Sequence, residues 1–204
     1  LNAQATLAGS PSKPDITFEL KGSRLSLPGE HHLDSLSAGG SLHGEALNFT
    51  VEAAGYQKSA EVLLQKAGFS VRGSLAQHDL NIKAKLANDA ALNLQASGGL
   101  TDPAQGWRNV QWRGVLSELT ATGRVPFRLL AAAPVTLGRE RVSLGKAEIS
   151  VAGGRAQFTS TEWTPRSWNS RGSFNAIGLR PGGVAGETQS ALRLAGDWDV
   201  SAAP

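Results

Sequence analysis

The most constraining feature of this chain is an alternation of apolar and polar residues that recurs along its whole length. Residues 15–21 read Asp-Ile-Thr-Phe-Glu-Leu-Lys, which puts Ile16, Phe18 and Leu20 on one side and Thr17, Glu19 and Lys21 on the other. Residues 47–53 do the same with Leu47, Phe49 and Val51 against Asn48, Thr50 and Glu52. The pattern returns at 80–86, 92–94, 110–113, 127–129, 142–144, 147–151, 156–158 and 192–200. A period of two is the repeat of an extended strand with one apolar and one hydrated face. Strands of a parallel sheet covered on both sides would be apolar throughout, so the alternation predicts a mainly antiparallel all-β fold.

Glycine-rich punctuation separates these runs: Gly9-Ser-Pro11, Pro28-Gly29, Gly39-Gly40, Gly98-Gly99, Gly153-Gly154 and Pro181-Gly-Gly183. Each reads as a tight turn, because Gly accepts positive φ and Pro presets φ at the first turn position. Residues 59–67 have helix-favouring composition, yet they lie between two alternating runs and are assigned to strand. Residues 102–107 could form one helical turn, with Asp102 as N-cap and Pro103 at the first position. The runs amount to roughly 14 to 18 short strands, and open twisted sheets rarely exceed about 10 without curling, splitting or closing. The apolar face must therefore be bent inward, as a trough, a sandwich or a barrel. Residues 1–204 read as one continuous sheet segment, with sub-segments 1–100 and 101–204 distinguished by composition.

That division is visible in the charges and the tryptophans. The first hundred residues carry 8 Lys/Arg against 9 Asp/Glu and the remainder 12 against 8, while all five tryptophans fall after residue 100. A formal net charge of +3 is too small to argue for nucleic acid. The chain has no cysteine, which excludes disulfides, thiolate metal sites and Cys nucleophiles. It has no methionine either, so a mature or excised fragment of a longer protein is expected. No apolar run approaches the roughly 18 residues of a membrane-spanning helix.

Candidate chemistry is sparse. His32 and Asp34 would share a strand face and could begin a metal site beside His31, but a polar strand edge next to Pro28-Gly29 explains them as well. No metal site is assigned. Gly40-Ser-Leu-His-Gly44 has the outline of a nucleophile elbow with its residues misplaced and no helix after it. No phosphate-binding glycine loop is present. The acidic residues are scattered singly, so no catalytic residue is assigned, no cofactor is expected, and the chain is not expected to be an enzyme. Trp107-Arg108, Trp112-Arg113 and the stretch from Trp163 to Arg171 mix aromatic and basic residues as single-strand nucleic-acid binders do. Alternation instead separates Trp112 from Arg113, and a core Trp beside a solvated Arg is the preferred reading of all three.

The order of phrases in the second half resembles a known family. Val110-Gln-Trp-Arg-Gly-Val-Leu-Ser-Glu-Leu-Thr-Ala-Thr-Gly123 is followed by residues 127–137, Arg141-Val-Ser-Leu-Gly-Lys-Ala-Glu-Ile149 and Gly153-Gly-Arg-Ala-Gln-Phe158. Glu162-Trp-Thr-Pro165, Ser170-Arg-Gly-Ser-Phe174 and Leu194-Ala-Gly-Asp-Trp-Asp-Val200 close the series. The chain resembles the TamB family, translocation and assembly module subunits related to AsmA-like proteins of Gram-negative envelopes. Leu25-Ser-Leu-Pro-Gly29 and residues 33–42 are similar to the looser repeats of the same family, and the Gly-rich segment 180–190 departs from it. The resemblance implies a long curled sheet with an apolar trough, a β-taco, in a periplasmic protein anchored in the inner membrane. It implies a role in outer-membrane biogenesis: carrying phospholipid between membranes, or assisting outer-membrane protein assembly with a TamA-type barrel partner. No nucleic-acid partner is expected.

On that reading the trough is lined by Phe18, Leu20, Leu47, Phe49, Val51, Ile82, Leu92, Leu94, Val110, Trp112, Ile149, Val151, Phe158, Leu192 and Leu194. Small or aliphatic positions such as Ala84, Ala96, Leu92 and Leu94 leave room, which favours an open trough over a packed sandwich. The alternatives are a strand-pairing assembly module and a structural spacer, neither binding lipid. An outer-membrane barrel would carry aromatic girdles, which one Tyr and no Trp before residue 107 do not supply.

Overall fold

The computed structural model describes residues 1–10, 13–59, 61–101, 110–178 and 193–203. Strands account for 82% of the described residues, among which there is no helix. In chain order they are β1 (Asn2–Ser10), β2 (Lys13–Leu27), β3 (His31–His43), β4 (Ala46–Lys58), β5 (Glu61–Ser74), β6 (His78–Leu86), β7 (Ala91–Thr101), β8 (Gln111–Ala121) and β9 (Phe127–Ala131). Then come β10 (Ala133–Leu137), β11 (Val142–Leu144), β12 (Ala147–Val151), β13 (Gly154–Thr164), β14 (Ser167–Gly178) and β15 (Arg193–Ala202). All pairings are antiparallel and belong to one sheet.

The strand order breaks sequence only once, where β8 is followed by β10, β11, β13, β12 and β9. The registers show why. β8 pairs with β10 through Trp112↔Leu137 and with β9 through Ala121↔Phe127, so β9 and β10 are one strand interrupted at Ala132. β13 pairs with β11 through Trp163↔Val142 and with β12 through Gly154↔Val151, so β11 and β12 are likewise one interrupted strand. Pro134, in the first of these, has no N–H to give the ladder. Its carbonyl instead accepts the Gly145 N–H at 2.9 Å, where the second strand breaks. Counting each interrupted pair once turns the fifteen strands into thirteen, and the topology into an uncrossed meander.

Two dipeptides read as turns lie inside strands. Gly39-Gly40 is in the middle of β3 and Gly98-Gly99 is in β7. Close approach, rather than a turn, requires glycine at 40, 98 and 99. A Cβ on Gly40 would meet the Asn48 carbonyl oxygen at 2.9 Å and the rings of Phe49 and Phe18 at 3.0 and 3.1 Å. A Cβ on Gly98 would lie 2.3 Å from the Arg113 carbonyl oxygen. Residues 59–67, with their helix-favouring composition, enter β5 at Glu61. The one-turn helix expected at 102–107 and the Pro181 turn lie outside the described residues.

Contacts of substance run between hydrogen-bonded neighbours, apart from a slight approach of β10 to β12. Among the described residues no second layer packs on the sheet, and β1 does not pair with β15. The accessible surface is 13737 Å² for a 21.3 kDa chain, against about 9,000 Å² for a compact globule of that mass. Among the described residues no large side chain is fully buried.

Candidate functional site

Directly opposed residues of an antiparallel pair share a face, so the registers trace each face across the sheet. One row runs Ala5, Phe18, Gly40, Phe49, Val71, Leu80, Ala96, Leu116 and Ala133. The next runs Ala3, Leu20, Ala38, Val51, Phe69, Ile82, Leu94 and Leu119. A third joins Leu36, Ala53, Ala67, Ala84, Leu92, Ala121, Phe127 and Val151. In the last strands Leu129, Ile149, Ala156 and Phe174 continue this face, beside Ala147, Phe158, Gly172 and Trp198. The opposite face carries Gln4, Glu19, Thr50, Ser70, Asn81, Gln95 and Glu118 in one row, and Arg72 facing Asp79 in another.

Thirteen of the fifteen residues expected to line a trough fall on this single apolar face: Phe18, Leu20, Leu47, Phe49, Val51, Ile82, Leu92, Leu94, Trp112, Ile149, Val151, Phe158 and Leu194. Val110 is half-buried and immediately precedes β8, outside the paired register. Leu192 lies outside the described residues. Period-two reading passed over Phe69, Leu116, Leu119 and Phe174, and the expected lining left out Trp198 although it lies in the alternating run 192–200. Bulges explain part of this. Between Leu116 and Leu119, and between Phe174 and Ile177, an extra residue in the strand keeps apolar side chains three apart on one face. At the first of these the sequence trace is a polar pair, Ser117-Glu118, between two apolar residues; at the second, Asn175-Ala176 leaves no such trace.

The face is partly covered by its own rings. Phe18 and Phe49 lean together over Gly40 with centroids 5.6 Å apart, and Phe69 meets Phe49 edge-on at 5.7 Å. Trp198 packs edge-on against Phe158 at 5.2 Å. Polar atoms on this side are satisfied locally. Trp112 Nε1–H donates to His78 Nε2 at 2.8 Å, and His78 Nδ1–H donates to the Ser74 carbonyl at 2.8 Å. Trp198 Nε1–H donates to Ser170 Oγ at 3.0 Å. Glycines aside, the buried residues among those described are Val71, Ala96, Trp112, Ala133, Ala147, Ala156, His78 and Ser170, all on this face. Its other large side chains remain partly open to solvent.

His31, His32 and Asp34 do not converge on a metal. His31 stacks on Tyr56 and takes part in a 2.7 Å bond with its hydroxyl, while His32 meets Ser26 on the other face. Among the described residues no group of three or more potential ligands gathers. Two shallow hollows of about 500 Å³ each lie over Gly39 and Gly68 on the hydrated face. They are dips left by missing side chains, edged by groups of both charges such as Glu52, Arg72, Asp79 and Lys83.

The chain matches no family model, no curated protein and no solved structure. The functional reading therefore rests on the face itself.

The mixed Trp–Arg segments separate into two kinds. Trp112 is 8% exposed and Arg113 points to solvent, as expected of a core ring. Trp163 and Trp168 are 47% and 41% exposed, so they are not core. They lie at the end of β13 and the start of β14, in a row that no ring or strand covers. Trp107 and Arg108 lie outside the described residues.

Proposed function

We propose that this chain is a length of a TamB-type envelope protein whose apolar face shields phospholipid acyl chains passing between membranes. The observation that carries the reading is a single-layer sheet with a continuous apolar face and no facing layer. Exposed apolar patches beyond a few hundred Å² mark ligand, membrane or protein contact. Each methylene taken from water onto such a face contributes about 0.8 kcal/mol, so a 16-carbon chain gains on the order of 10 kcal/mol before ordering costs. The hydrated face, with its ladders of Ser, Thr, Asn and Gln, suits a protein standing in the aqueous periplasm. On this reading the full protein is anchored in the inner membrane and meets a TamA-type barrel.

Mass spectrometry of an organic extract of the purified, folded chain tests this. Stoichiometric phospholipid is expected, and Leu94→Arg, in the middle of the face, should abolish it while far-UV circular dichroism stays unchanged. A lipid-free extract from a lipid-rich host would refute the reading.

A further inference from the structure

At the end of the sheet where β13 turns into β14, five large apolar side chains are open to solvent: Leu137, Val142, Trp163, Trp168 and Val200, each 37–47% exposed. The first four are opposed in turn, Leu137↔Val142↔Trp163↔Trp168, and Val200 faces Ser170 in the adjacent row. They form one strip on the apolar face. The turns beside it carry Arg139, Arg141 and Arg166, all exposed. Arg113 and Glu162 lie on the hydrated face at the same end, and Arg141 is paired with Glu162. With Glu140, the four arginines outnumber the two acids.

We infer that this strip is where the sheet docks on a bilayer bearing anionic lipid. Indole rings favour the boundary between headgroups and acyl chains, because they present an apolar body and a polar N–H. The arginines sit at the tips and on the hydrated side, where phosphate headgroups would lie once the strip is inserted. A single-stranded nucleic acid would instead need cations on the same face as the rings, to follow its backbone. Here that face offers Leu137, Val142 and Val200. The inference deepens the lipid reading by naming where the sheet meets a membrane, and it rests on that reading. The two fail separately, since the middle of the apolar face and the strip are altered by different substitutions.

The test is co-sedimentation of the full chain with vesicles of phosphatidylcholine, with and without phosphatidylglycerol, alongside tryptophan emission. Binding with a blue shift is expected on the anionic vesicles. Trp163→Ser with Trp168→Ser should weaken it by more than about tenfold, as half-exposed rings going into an apolar phase imply. Arg166→Glu should weaken binding by about fivefold on anionic vesicles and leave neutral ones unchanged. Both tryptophans are exposed, so these variants should keep the wild-type far-UV spectrum. Leu94→Arg should still dock, although it no longer carries lipid. Absence of wild-type binding, or full binding by the double tryptophan variant, would overturn the inference. So would a patch that ignores vesicles and binds single-stranded oligonucleotide, which would reassign it to nucleic acid.

Discussion

Replacing Trp112 by Phe removes a hydrogen-bond donor from a place that water barely reaches. The indole lies across Gly98 and Gly114, a Cβ on either of which would fall within 3 Å of its ring. Its N–H is bound to His78 Nε2 at 2.8 Å, and the two residues are 8% and 6% exposed. In Trp112→Phe the His78 acceptor loses its partner, at a cost of about 1–3 kcal/mol. The smaller ring also leaves space over the two glycines, adding about 1 kcal/mol. The sum, about 3 kcal/mol, is a large part of the roughly 5–15 kcal/mol that holds a typical domain. Substituting His78→Leu in the same chain removes the stranded acceptor, so the double variant should be less destabilised than the two single effects together. The coupling expected is about 1–2 kcal/mol. Urea unfolding followed by circular dichroism measures it. Amide hydrogen exchange should show the lost protection confined to β6, β7 and β8. Additivity within about 0.5 kcal/mol would refute the claim that a buried polar pair holds this part of the sheet.

Glycine at position 98 and glycine at position 39 should answer oppositely to alanine. Gly98→Ala drives a methyl to 2.3 Å from the Arg113 carbonyl oxygen and should cost at least about 2 kcal/mol in thermal or urea unfolding. Gly39→Ala, whose methyl would meet nothing nearer than 3.7 Å, should be neutral or stabilise by up to about 1 kcal/mol. Arg171 donates to Asp199 through Nε at 3.0 Å and Nη2 at 2.7 Å. Both side chains are about two-thirds exposed, so Asp199→Asn should change stability by less than about 1 kcal/mol. Amides of residues 2–9 in β1, all exposed and laddered to β2, should exchange far faster than those of β3 to β7.

Much of this sheet is legible in the sequence because every strand repeats the same two-sided chemistry. The face of Phe18, Leu20, Phe49 and Val51 follows from alternation alone. Where the reading stops, particular residues explain it. Gly39-Gly40 and Gly98-Gly99 carry the dipeptide signature of turns. The purpose of Gly40 and Gly98, however, depends on Phe18, Phe49 and Trp112, which reach them from neighbouring strands. Phe174 and Ile177 share a face only because a bulge lies between them, with Ala176 at φ 55°, and a strict period of two sends one of them outward. The exposure of Trp163 and Trp168 was equally hidden. Sequence ranks Trp with the core, and only the absence of a covering layer at that end of the sheet turns these two outward.

The uncrossed meander has a consequence for how such a molecule can change length. Each strand touches little besides the two it is bonded to, so its stability is close to a sum of neighbour terms, as in repeat arrays. Inserting or deleting one hairpin restores every turn to its original side and leaves both faces in phase. Each such step alters the span across the strands by about 10 Å, two interstrand spacings. The thirteen strands thus act as a ruler of about 60 Å along the hydrogen-bonding direction. The span of such a sheet can therefore change in hairpin increments, without redesigning a core.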